Sequence, residues 1–559
     1  MDTQRLIAAV IFAFSGFLLM EAWNKHQQPT VAQTSAGAPV TPAAPPSSVP
    51  SAAPTSIAPA APLPSVAQAD VPKRGERIVV TTDTLQLELD TQGGDIRSLE
   101  LLKHAAHGDS SKPFKLMQDK VGAYYVAQSG LLGPTMPNHT NVWRASAGRF
   151  EMGANNELEV TLTSGAEGLV VEKTFAFKRG SYVIDVRYAV RNNTGDSISP
   201  SAYFQFLRDG NPPEGESAGN FLTGGVVTFT GPAIFTDAKK FQKVDFAAIS
   251  KGKQEHIKES SDGWIAMVQH YFVAAWLPAG QVKREFFTRK VGDSLFSAGV
   301  ILPMPSIASG ASGTISMPLY VGPQEQEHLK VLAPEFDLVV DYGWLKILAY
   351  PMFVVLSWIN KIVGNWGWTI IVFTFLLKLV FFPLNQKAGK SMAHMKQLAP
   401  KVEALKARYG DDKVKMNQAM MDLYRTEKVN PLGGCLPILI QMPFLIAMYW
   451  VLLGAVELRN TPWIGWIKDL SSPDPFYVLP VIMGASMIIQ TKLNPAPPDP
   501  VQAKVMMVMP VVFSVMFFFF PAGLVLYWTV QNILGIAQQW YINKSTEHLV
   551  QPKGSSAGK

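Results

Sequence analysis

The sequence predicts a polytopic α-helical membrane protein with six transmembrane helices and a large all-β domain outside the bilayer. Of the 559 residues, 16% are charged and 48% are hydrophobic, whereas about a quarter of a typical soluble chain is charged. Apolar runs long enough to cross about 30 Å of hydrocarbon occupy the C-terminal third. Short segments that alternate polar and apolar residues occupy the middle, which is the pattern of half-buried β-strands.

Composition also excludes several classes of protein. The 49 basic and 43 acidic residues give a net charge of +6 without a basic block, so no nucleic-acid readout is indicated. A single cysteine, Cys435, excludes an intramolecular disulfide and any multi-cysteine metal site. Gly389-Lys390-Ser391 resembles the end of a phosphate-binding loop, but its first glycine would fall on Leu384. We therefore expect no nucleotide, cofactor, metal or catalytic residue.

The N-terminus, residues 1–24, is predicted to be an uncleaved signal-anchor helix. Arg5 precedes the apolar run Leu6 to Met20, and Trp23 stands where a signal-peptide cleavage site would need a small residue. A cleaved signal peptide is the alternative. The anchor would begin in the cytoplasm and end at the far interface.

Residues 25–76 are predicted to be an extended linker, and residues 77–335 a β domain. The linker is rich in Ala and Pro, and between Lys25 and Asp70 it has no charged or aromatic residue from which to build a core. The β domain consists of short alternating segments between Gly- and Asn-containing turns, which fits one large β-sandwich or two fused ones. The clearest predicted strands are Ile78 to Thr82, Leu85 to Asp90, Leu158 to Thr163 and Val183 to Arg191.

The C-terminal third is divided into one interfacial helix and five spans. Residues 341–363 are rich in Trp and Tyr and carry two lysines, which favours an amphipathic helix in the interface. The stretch from Val505 to Ile542 is too long for one span, and Phe520-Pro521-Ala522-Gly523 predicts a turn in it. The predicted spans are 364–384, 436–456, 476–491, 505–520 and 523–542, with a loop over 492–504 and a tail over 543–559.

Loop charge predicts the orientation. Residues 385–430 contain ten basic and five acidic residues, and basic loops remain in the cytoplasm. The loop 457–475 has only Arg459 and Lys468 as basic residues, as expected outside. Both termini are therefore predicted to be cytoplasmic and the β domain to lie on the opposite side.

The basic loop 385–430 is predicted to be a cytoplasmic helical hairpin. Apolar residues recur at spacings of three and four from Met392 to Tyr409, and Gly410-Asp411-Asp412 provides a stop and a new N-cap. The hairpin could be a self-packed appendage, or its flexible thioethers could receive varied apolar partners. The candidate recruitment residues are Met392, Met395, Leu398, Met420 and Met421.

Polar residues inside the predicted spans are the candidates for function. Lys378 would cost about 2.5 to 3.5 kcal/mol at mid-membrane, so it should face a hydrated cavity unless its stem reaches the interface by snorkelling. Each amide or threonine alone could instead join helices. The candidate groove residues are Lys378, Thr374, Gln441, Trp528, Gln531 and Asn532, and the candidate apolar slide beside them is Met442, Phe444, Met448, Met509, Met516 and Tyr527.

One buried cation without intramembrane carboxylates poorly fits an ion-coupled transporter and better fits transient contact with polypeptide. Two alternatives remain open from the residues alone. One is a membrane-anchored periplasmic carbohydrate-binding protein, and the other is a small-solute transporter.

Four segments carry a resemblance to a known family. Asp341 to Trp344, Gly364 to Gly367, Asn430 to Pro443 and Pro521 to Trp528 resemble the YidC family of bacterial inner-membrane protein insertases, and the likeness extends over the whole chain. The large β domain is typical of Gram-negative members. The resemblance implies an insertase and membrane chaperone, in the inner membrane, with five core helices around a groove that is closed outside, and a periplasmic super-sandwich.

The resemblance also implies the partners and one departure. Its partners would be nascent membrane proteins, the ribosome and targeting machinery, the Sec translocon and the phospholipid bilayer. The family's groove cation is usually arginine, and its position corresponds to Lys378 here. Lysine keeps the positive charge of arginine but lacks its planar guanidinium, which can pair with a carboxylate through two parallel hydrogen bonds. A mechanism that needs only the positive charge is compatible with lysine, whereas one that needs this fixed pairing is not supported.

Overall fold

The computed structural model describes residues 74–106, 108–166, 168–213, 228–410, 412–427, 436–493 and 500–550. The described chain divides into two compact units, which meet in sequence between Val340 and Asp341. The predicted anchor 1–24 and most of the linker 25–76 lie outside the described residues, as do residues 494–499 of the loop 492–504 and the end of the tail 543–559.

The first unit consists of two β-sheets. The ten-stranded sheet has the order β14-β17-β18-β11-β5-β4-β3-β2-β1-β7, and the nine-stranded sheet has the order β13-β12-β15-β16-β19-β10-β9-β8-β6. The strands are β1 Arg77–Thr81, β2 Leu85–Asp90, β3 Asp95–Ala106, β4 Asp109–Lys120, β5 Ala123–Leu132, β6 Arg144–Ala145, β7 Arg149–Glu151, β8 Glu157–Ala166, β9 Leu169–Lys178, β10 Val183–Asn192, β11 Ser201–Asp209, β12 Gly231–Thr236, β13 Lys240–Lys243, β14 Glu259–Ser260, β15 Trp264–Val268, β16 Phe272–Trp276, β17 Arg284–Val291, β18 Leu295–Pro303 and β19 Ser312–Pro323. Helices α1 Phe246–Ser250 and α2 Gln326–Leu332 and a 3-10 helix at Phe336–Val339 complete the unit.

The two sheets enclose one hydrophobic core. Along β9 every second side chain is buried, because successive side chains of a strand point to opposite faces. Phe204 and Phe206 of the ten-stranded sheet contact Trp276 of the nine-stranded sheet, with ring centroids 5.2 and 5.7 Å apart. The prediction of an all-β domain is confirmed, and of the two arrangements considered the structure has one sandwich with a continuous core.

A charged side chain lies inside this core. Lys173 of β9 is 1% exposed, and its Nζ lies 3.4 Å from the carbonyl oxygens of Gly93 and Ser129. Burial lowers the pKa of Lys173 to about 8. Three aromatic rings surround the ammonium, with centroids 5.4 to 5.7 Å away, in Trp143, Phe175 and Tyr188.

Asp95 of β3 compensates the buried cations. It is 1% exposed, lies 3.4 Å from the Nη2 atom of Arg97 and accepts a hydrogen bond of 2.8 Å from Nε2 of Gln128. Burial raises the pKa of Asp95, whereas Arg97 and Lys173 lower it. Ion pairs buried to this degree are costly to break, because removal of one partner leaves an uncompensated charge.

A buried histidine should make the β unit sensitive to acid. Burial lowers the pKa of His139 to about 3, and its backbone N–H donates to the hydroxyl of Tyr203. The unfolded chain, with a histidine pKa of about 6.5, binds a proton that the folded state excludes. Stability should therefore fall as the pH decreases from 6.5 towards 3, by up to about 1.4 kcal/mol per pH unit. Hydrogen exchange of peptides around His139 in the full-length protein at pH 7 and pH 5 measures this change.

The matched variant for this experiment is His139→Gln, which removes the titrating group. Exchange corrected for intrinsic rates should then depend less on pH over the same range. An equal pH dependence in both proteins would show that other groups set the acid sensitivity.

The second unit is helical. Its helices are α3 Lys346–Val363, α4 Trp366–Gln397, α5 Ala399–Tyr409, α6 Lys413–Thr426, α7 Leu436–Gly454, α8 Val478–Leu493, α9 Pro500–Phe517 and α10 Ala522–Val550, with 3-10 helices at Gly343–Leu345 and Val456–Leu458. By length and composition two of the described helices could cross a membrane, Lys346–Val363 and the segment Trp366–Gly389. Shorter apolar helices occupy Leu439–Gly454, Val478–Leu493 and Met507–Phe517. The count of six spans and the interfacial location of residues 341–363 stay predictions.

Helix α4 continues further than the predicted span 364–384. It ends at Gln397, and α5 begins at Ala399, so the first arm of the predicted hairpin is continuous with the apolar helix. The amphipathic pattern from Met392 to Tyr409 is divided because Pro400 has no N–H and its ring clashes with the preceding helical turn. The start of the second arm agrees with the prediction, since the Asp412 side chain caps α6 by accepting from the backbone N–H of Lys415.

A loop closes one end of the helical unit. Asp474 is 1% exposed and accepts hydrogen bonds from Nε1 of Trp466 and from the backbone N–H groups of Phe476 and Leu479, at 2.8 to 3.0 Å. The backbone N–H groups of Ala522 and Gly523, at the turn between α9 and α10, donate to carbonyl oxygens of the same loop at 2.8 Å. These bonds satisfy backbone groups that would otherwise be exposed at the helix ends.

Candidate functional site

Lys378 lies inside the apolar part of α4. It is the thirteenth residue of the segment Trp366–Gly389, and the uninterrupted apolar run ends six residues after it, at Leu384. The side chain is half-buried and borders a small cavity. The cavity lining comes from α4, α7 and α10 and consists of Leu377, Lys378, Phe381, Gln441, Phe444, Leu445, Tyr527 and Gln531.

The ammonium of Lys378 points between helices. A Cβ atom added to Gly535 of α10 would lie 3.6 Å from Nζ of Lys378 and 3.2 Å from Nε2 of Gln490 on α8. The ammonium therefore lies beside the backbone of α10 at Gly535 and near the amide of Gln490. Lys378 thus borders the cavity, and the choice between a hydrated cavity and snorkelling stays a prediction. Among the described residues no acidic side chain lies within ion-pair distance of this ammonium.

A series of hydrogen-bonded amide side chains extends from the cavity. Nε2 of Gln441 on α7 donates to Oδ1 of Asn385 on α4 at 2.9 Å, and Nδ2 of Asn385 donates to Oε1 of Gln538 on α10 at 3.1 Å. This series therefore links three helices. Asn385 and Gln538 were not predicted from the sequence. Asn385 stands seven residues after Lys378, and Gln538 stands seven residues after Gln531, which is about two helical turns in each case.

Three buried polar atoms of α10 have no hydrogen-bond partner among the described residues. They are the hydroxyl of Tyr527, Oε1 of Gln531 and Nε2 of Gln538. Tyr527, Gln531, Gly535 and Gln538 follow one another at spacings of four, four and three, so they lie on one face of the helix. Unpartnered groups of this kind cost free energy unless water or a ligand satisfies them. This face is therefore suited to hydrated or peptide-like material.

Three of the six predicted groove residues are not in the cavity lining. Thr374 is fully buried and its hydroxyl donates to the carbonyl oxygen of Ile370 at 2.6 Å, so its polarity is satisfied within its own helix. Trp528 packs against Phe517, with ring centroids 4.3 Å apart, at the end of α10 near the loop. Asn532 is half-buried outside the lining. The structure brings Lys378, Gln441 and Gln531 together.

The predicted slide residues are distributed over different environments. Met442 is 45% and Met509 40% exposed, and Met516 is half-buried. Phe444 lines the cavity beside Phe381. Met448 and Tyr527 are fully buried, so neither contributes an outer surface in this structure, and Tyr527 belongs to the cavity instead.

The predicted hairpin residues also separate. Leu398 is buried, Met420 is half-buried and Met421 is 43% exposed. Met392 and Met395 belong to α4, and the structure describes their backbone but not their side chains. Lys401 of α5 pairs with Glu427 after α6, which ties the two arms together. The arms are thus joined to each other, and one methionine remains on the surface.

The apolar helices, the half-buried lysine between them and the separate two-sheet domain define a class of protein: one with helices apolar enough to cross a membrane, a large β domain and a polar site inside its helical unit. Comparison with known proteins identifies the family. Residues 77–355 match the YidC periplasmic domain, and residues 358–549 match the 60Kd inner membrane protein family.

Full-length relatives agree with these matches. The chain is 51% identical to the membrane protein insertase YidC of Aromatoleum aromaticum, over 98% of each chain, and 54% identical to that of Dechloromonas aromatica, over 97% of each. A crystal structure described as an active YidC insertase with its first transmembrane domain resolved is 18% identical, covers 84% of this chain and 93% of its own, and gives a TM-score of 0.38. The chain belongs to the YidC family of membrane protein insertases.

Proposed function

We propose that this chain inserts nascent proteins into the inner membrane by passing their polar segments along the cavity at Lys378. The observation that carries the proposal is a cation within an apolar helix that faces two neighbouring helices and has no carboxylate partner among the described residues. Such a cation attracts acidic segments without binding a fixed internal partner. The unpartnered atoms of Tyr527, Gln531 and Gln538 extend the polar surface along α10.

The energetic role of the site is to lower a desolvation cost. A peptide group moved from water into hydrocarbon without a hydrogen bond costs roughly 2 to 7 kcal/mol. A hydrated cavity that reaches partway into the bilayer shortens the apolar distance that a polar segment must cross. The free energy that drives insertion then comes from burial of the substrate's apolar helix in lipid, at about 25 cal/mol per Å² of apolar surface. No nucleotide needs to be hydrolysed.

The remaining parts of the proposal follow the predicted orientation. Both termini and the hairpin formed by α5 and α6 lie in the cytoplasm, where Met421 is available to an arriving substrate, the ribosome or the targeting machinery. The β domain lies in the periplasm. The substrate's apolar helix leaves along the exposed Met442 and Met509 into the phospholipid bilayer, alone or beside the Sec translocon. The protein acts there as an insertase and a chaperone.

Site-specific photocrosslinking to a stalled nascent membrane protein tests the cavity. A photoreactive residue at Lys378, Gln441 or Gln531 should crosslink to the polar segment of the substrate. The matched control is Trp528, which is three residues before Gln531 on the same helix but packs into an aromatic cluster. Equal crosslinking from 528 and 531, or none from 378, 441 and 531, would contradict the proposed path.

Reconstitution separates insertion from solute transport. Purified protein in liposomes should insert a polypeptide substrate without increasing the passage of small solutes. Passage of solutes without insertion would instead support the transporter alternative.

A further inference from the structure

The β unit contains a second cavity, distant in sequence from the membrane helices. Its volume is about 440 Å³, which lies in the range of ligand-binding cavities. It is bordered by β4, by the start of β5, by the end of β11 and the residues that follow it, and also by Glu100 and Ala106 of β3 and by Gln269. Five consecutive residues of β4, from Lys112 to Leu116, contribute to its lining.

These consecutive residues show that the cavity runs along the edge of a strand. Successive side chains of a strand point to opposite faces, so five in a row border one cavity most simply where it lies beside the backbone. Strand β4 pairs with β3 over Asp109 to Met117, with register shifts, but pairs with β5 only over Gln118 to Lys120. Among the described strands none pairs with the other edge of β4 over Lys112 to Leu116. This part of β4 therefore presents an open edge to the cavity.

The cavity also contains hydrogen-bonding atoms that the described residues leave unsatisfied. Oε1 of Gln118 and the hydroxyl of Tyr125 are both buried and have no partner there. Gln118 and Tyr125 stand opposite each other in the β4–β5 pair, at the point where the open edge begins. The amide oxygen needs a donor and the phenol can both donate and accept, which matches the N–H and C=O groups of a peptide.

The charge of the lining is positive. Lys112, Lys115, Lys120 and Arg208 face two acids, Glu100 and Asp209. Lys115 is paired with Glu100 and Lys112 with Asp109, each at 2.8 Å, and Asp209 accepts the backbone N–H of Tyr124 at 2.7 Å. The excess positive charge therefore lies on the side of Lys120 and Arg208. Lysine and proline on an open edge discourage pairing with neutral or basic strands, and the same charges attract an acidic one.

We propose that this cavity binds an extended stretch of polypeptide with acidic side chains, which adds as a strand to the open edge of β4. The backbone of the occupant pairs with β4, and its carboxylates approach Lys120 and the other cations of the lining. Strand addition gives affinity through main-chain hydrogen bonds, while the charges give selectivity. The proposal concerns the β unit and is independent of the path at Lys378.

Fluorescence anisotropy with the purified full-length protein tests this site. The probe is a labelled peptide of alternating threonine and glutamate, compared with peptides in which glutamine or lysine replaces glutamate. We expect the acidic peptide to bind most tightly and the lysine peptide least, with affinity falling as salt increases. A copy of the acidic peptide that is N-methylated at alternate residues keeps its charge but cannot pair along one edge, and it should bind at least about fivefold more weakly.

Two variants locate the binding. Lys120→Glu reverses an exposed cation of the lining and should weaken the acidic peptide by at least about fivefold. Lys178→Glu reverses an exposed lysine of β9 in the other sheet and should leave the affinity unchanged. Hydrogen exchange of the β unit should be the same in both variants, which separates lost binding from lost folding.

Three results would overturn the proposal. The first is equal binding of the acidic and lysine peptides, and the second is full affinity of the N-methylated copy. The third is an anionic oligosaccharide, such as a hyaluronan fragment, that binds more tightly than the peptide and displaces it, because the cavity would then be a carbohydrate site.

Discussion

Replacement of Lys378 by glutamate is expected to abolish insertion of substrates whose translocated segment is acidic. Two unit charges 4 Å apart interact by roughly 4 kcal/mol at an effective dielectric constant of 20, and the substitution turns this attraction into repulsion. Even a quarter of that energy in the rate-limiting step slows insertion by about fivefold. The measurement is protease protection of the translocated segment in proteoliposomes, with acidic and uncharged versions of one substrate.

The controls for this experiment separate charge from packing. Lys378→Arg keeps the positive field and should retain insertion, as expected for a position where the family usually has arginine. Lys492→Glu makes the same charge change at the exposed end of α8 and should have little effect. Normal insertion of the acidic substrate by Lys378→Glu would refute the role of the field, and equal losses for acidic and uncharged substrates would indicate a packing defect instead.

Replacement of Asp95 by asparagine is expected to destabilise the β unit by about 3 to 5 kcal/mol, the usual cost of breaking a buried ion pair. The variant leaves the ammonium of Lys173 in the core with aromatic rings and carbonyl oxygens but without its carboxylate. Arg97 loses its contact of 3.4 Å at the same time. Denaturant-dependent hydrogen exchange of β-unit peptides in the full-length protein measures the loss, because the two units need not unfold together.

A second substitution tests the assigned cause. Lys173→Met in the Asp95→Asn background removes the uncompensated cation and should restore part of the stability. Glu157→Gln breaks an exposed ion pair with Lys178 and should cost about 1 kcal/mol or less. If the Asp95 variant lost no more stability than Glu157→Gln, the buried cluster would not be the electrostatic unit described above.

The local patterns of the sequence were sufficient for most elements of the fold. Alternation predicted β2 and β10 because one face of each strand is buried in the sandwich. Pro521 predicted the turn between α9 and α10, since proline cannot continue a helix that approaches it. The extension of α4 beyond residue 384 was not predicted, because the end of an apolar run marks the end of hydrocarbon and a helix can continue into water.

The polar site was predicted only in part. Lys378, Gln441 and Gln531 were found because charge and amide groups are conspicuous in an apolar segment. Trp528 was assigned to the groove with Gln531, but its ring packs against Phe517 and Tyr449, whereas Tyr527 and Gln531 line the cavity. Asn385 was overlooked because it stands just past the predicted span, where an amide is unremarkable, and the role of Gln538 becomes visible only through its hydrogen bond to Asn385 on another helix.

The amino-acid sequence by itself determined that this protein has a two-part organisation, a β domain and a membrane unit, and that a cation lies within an apolar helix. Period-two and apolar patterns are local, so they can be recognised without knowing the neighbours of each element. The tertiary structure decided which polar groups meet. Lipid is as apolar as leucine, so hydrophobicity does not reveal the inward face of a membrane helix. That face is set by close packing, as where the ammonium of Lys378 on α4 and the amide of Gln490 on α8 both approach Gly535 of α10.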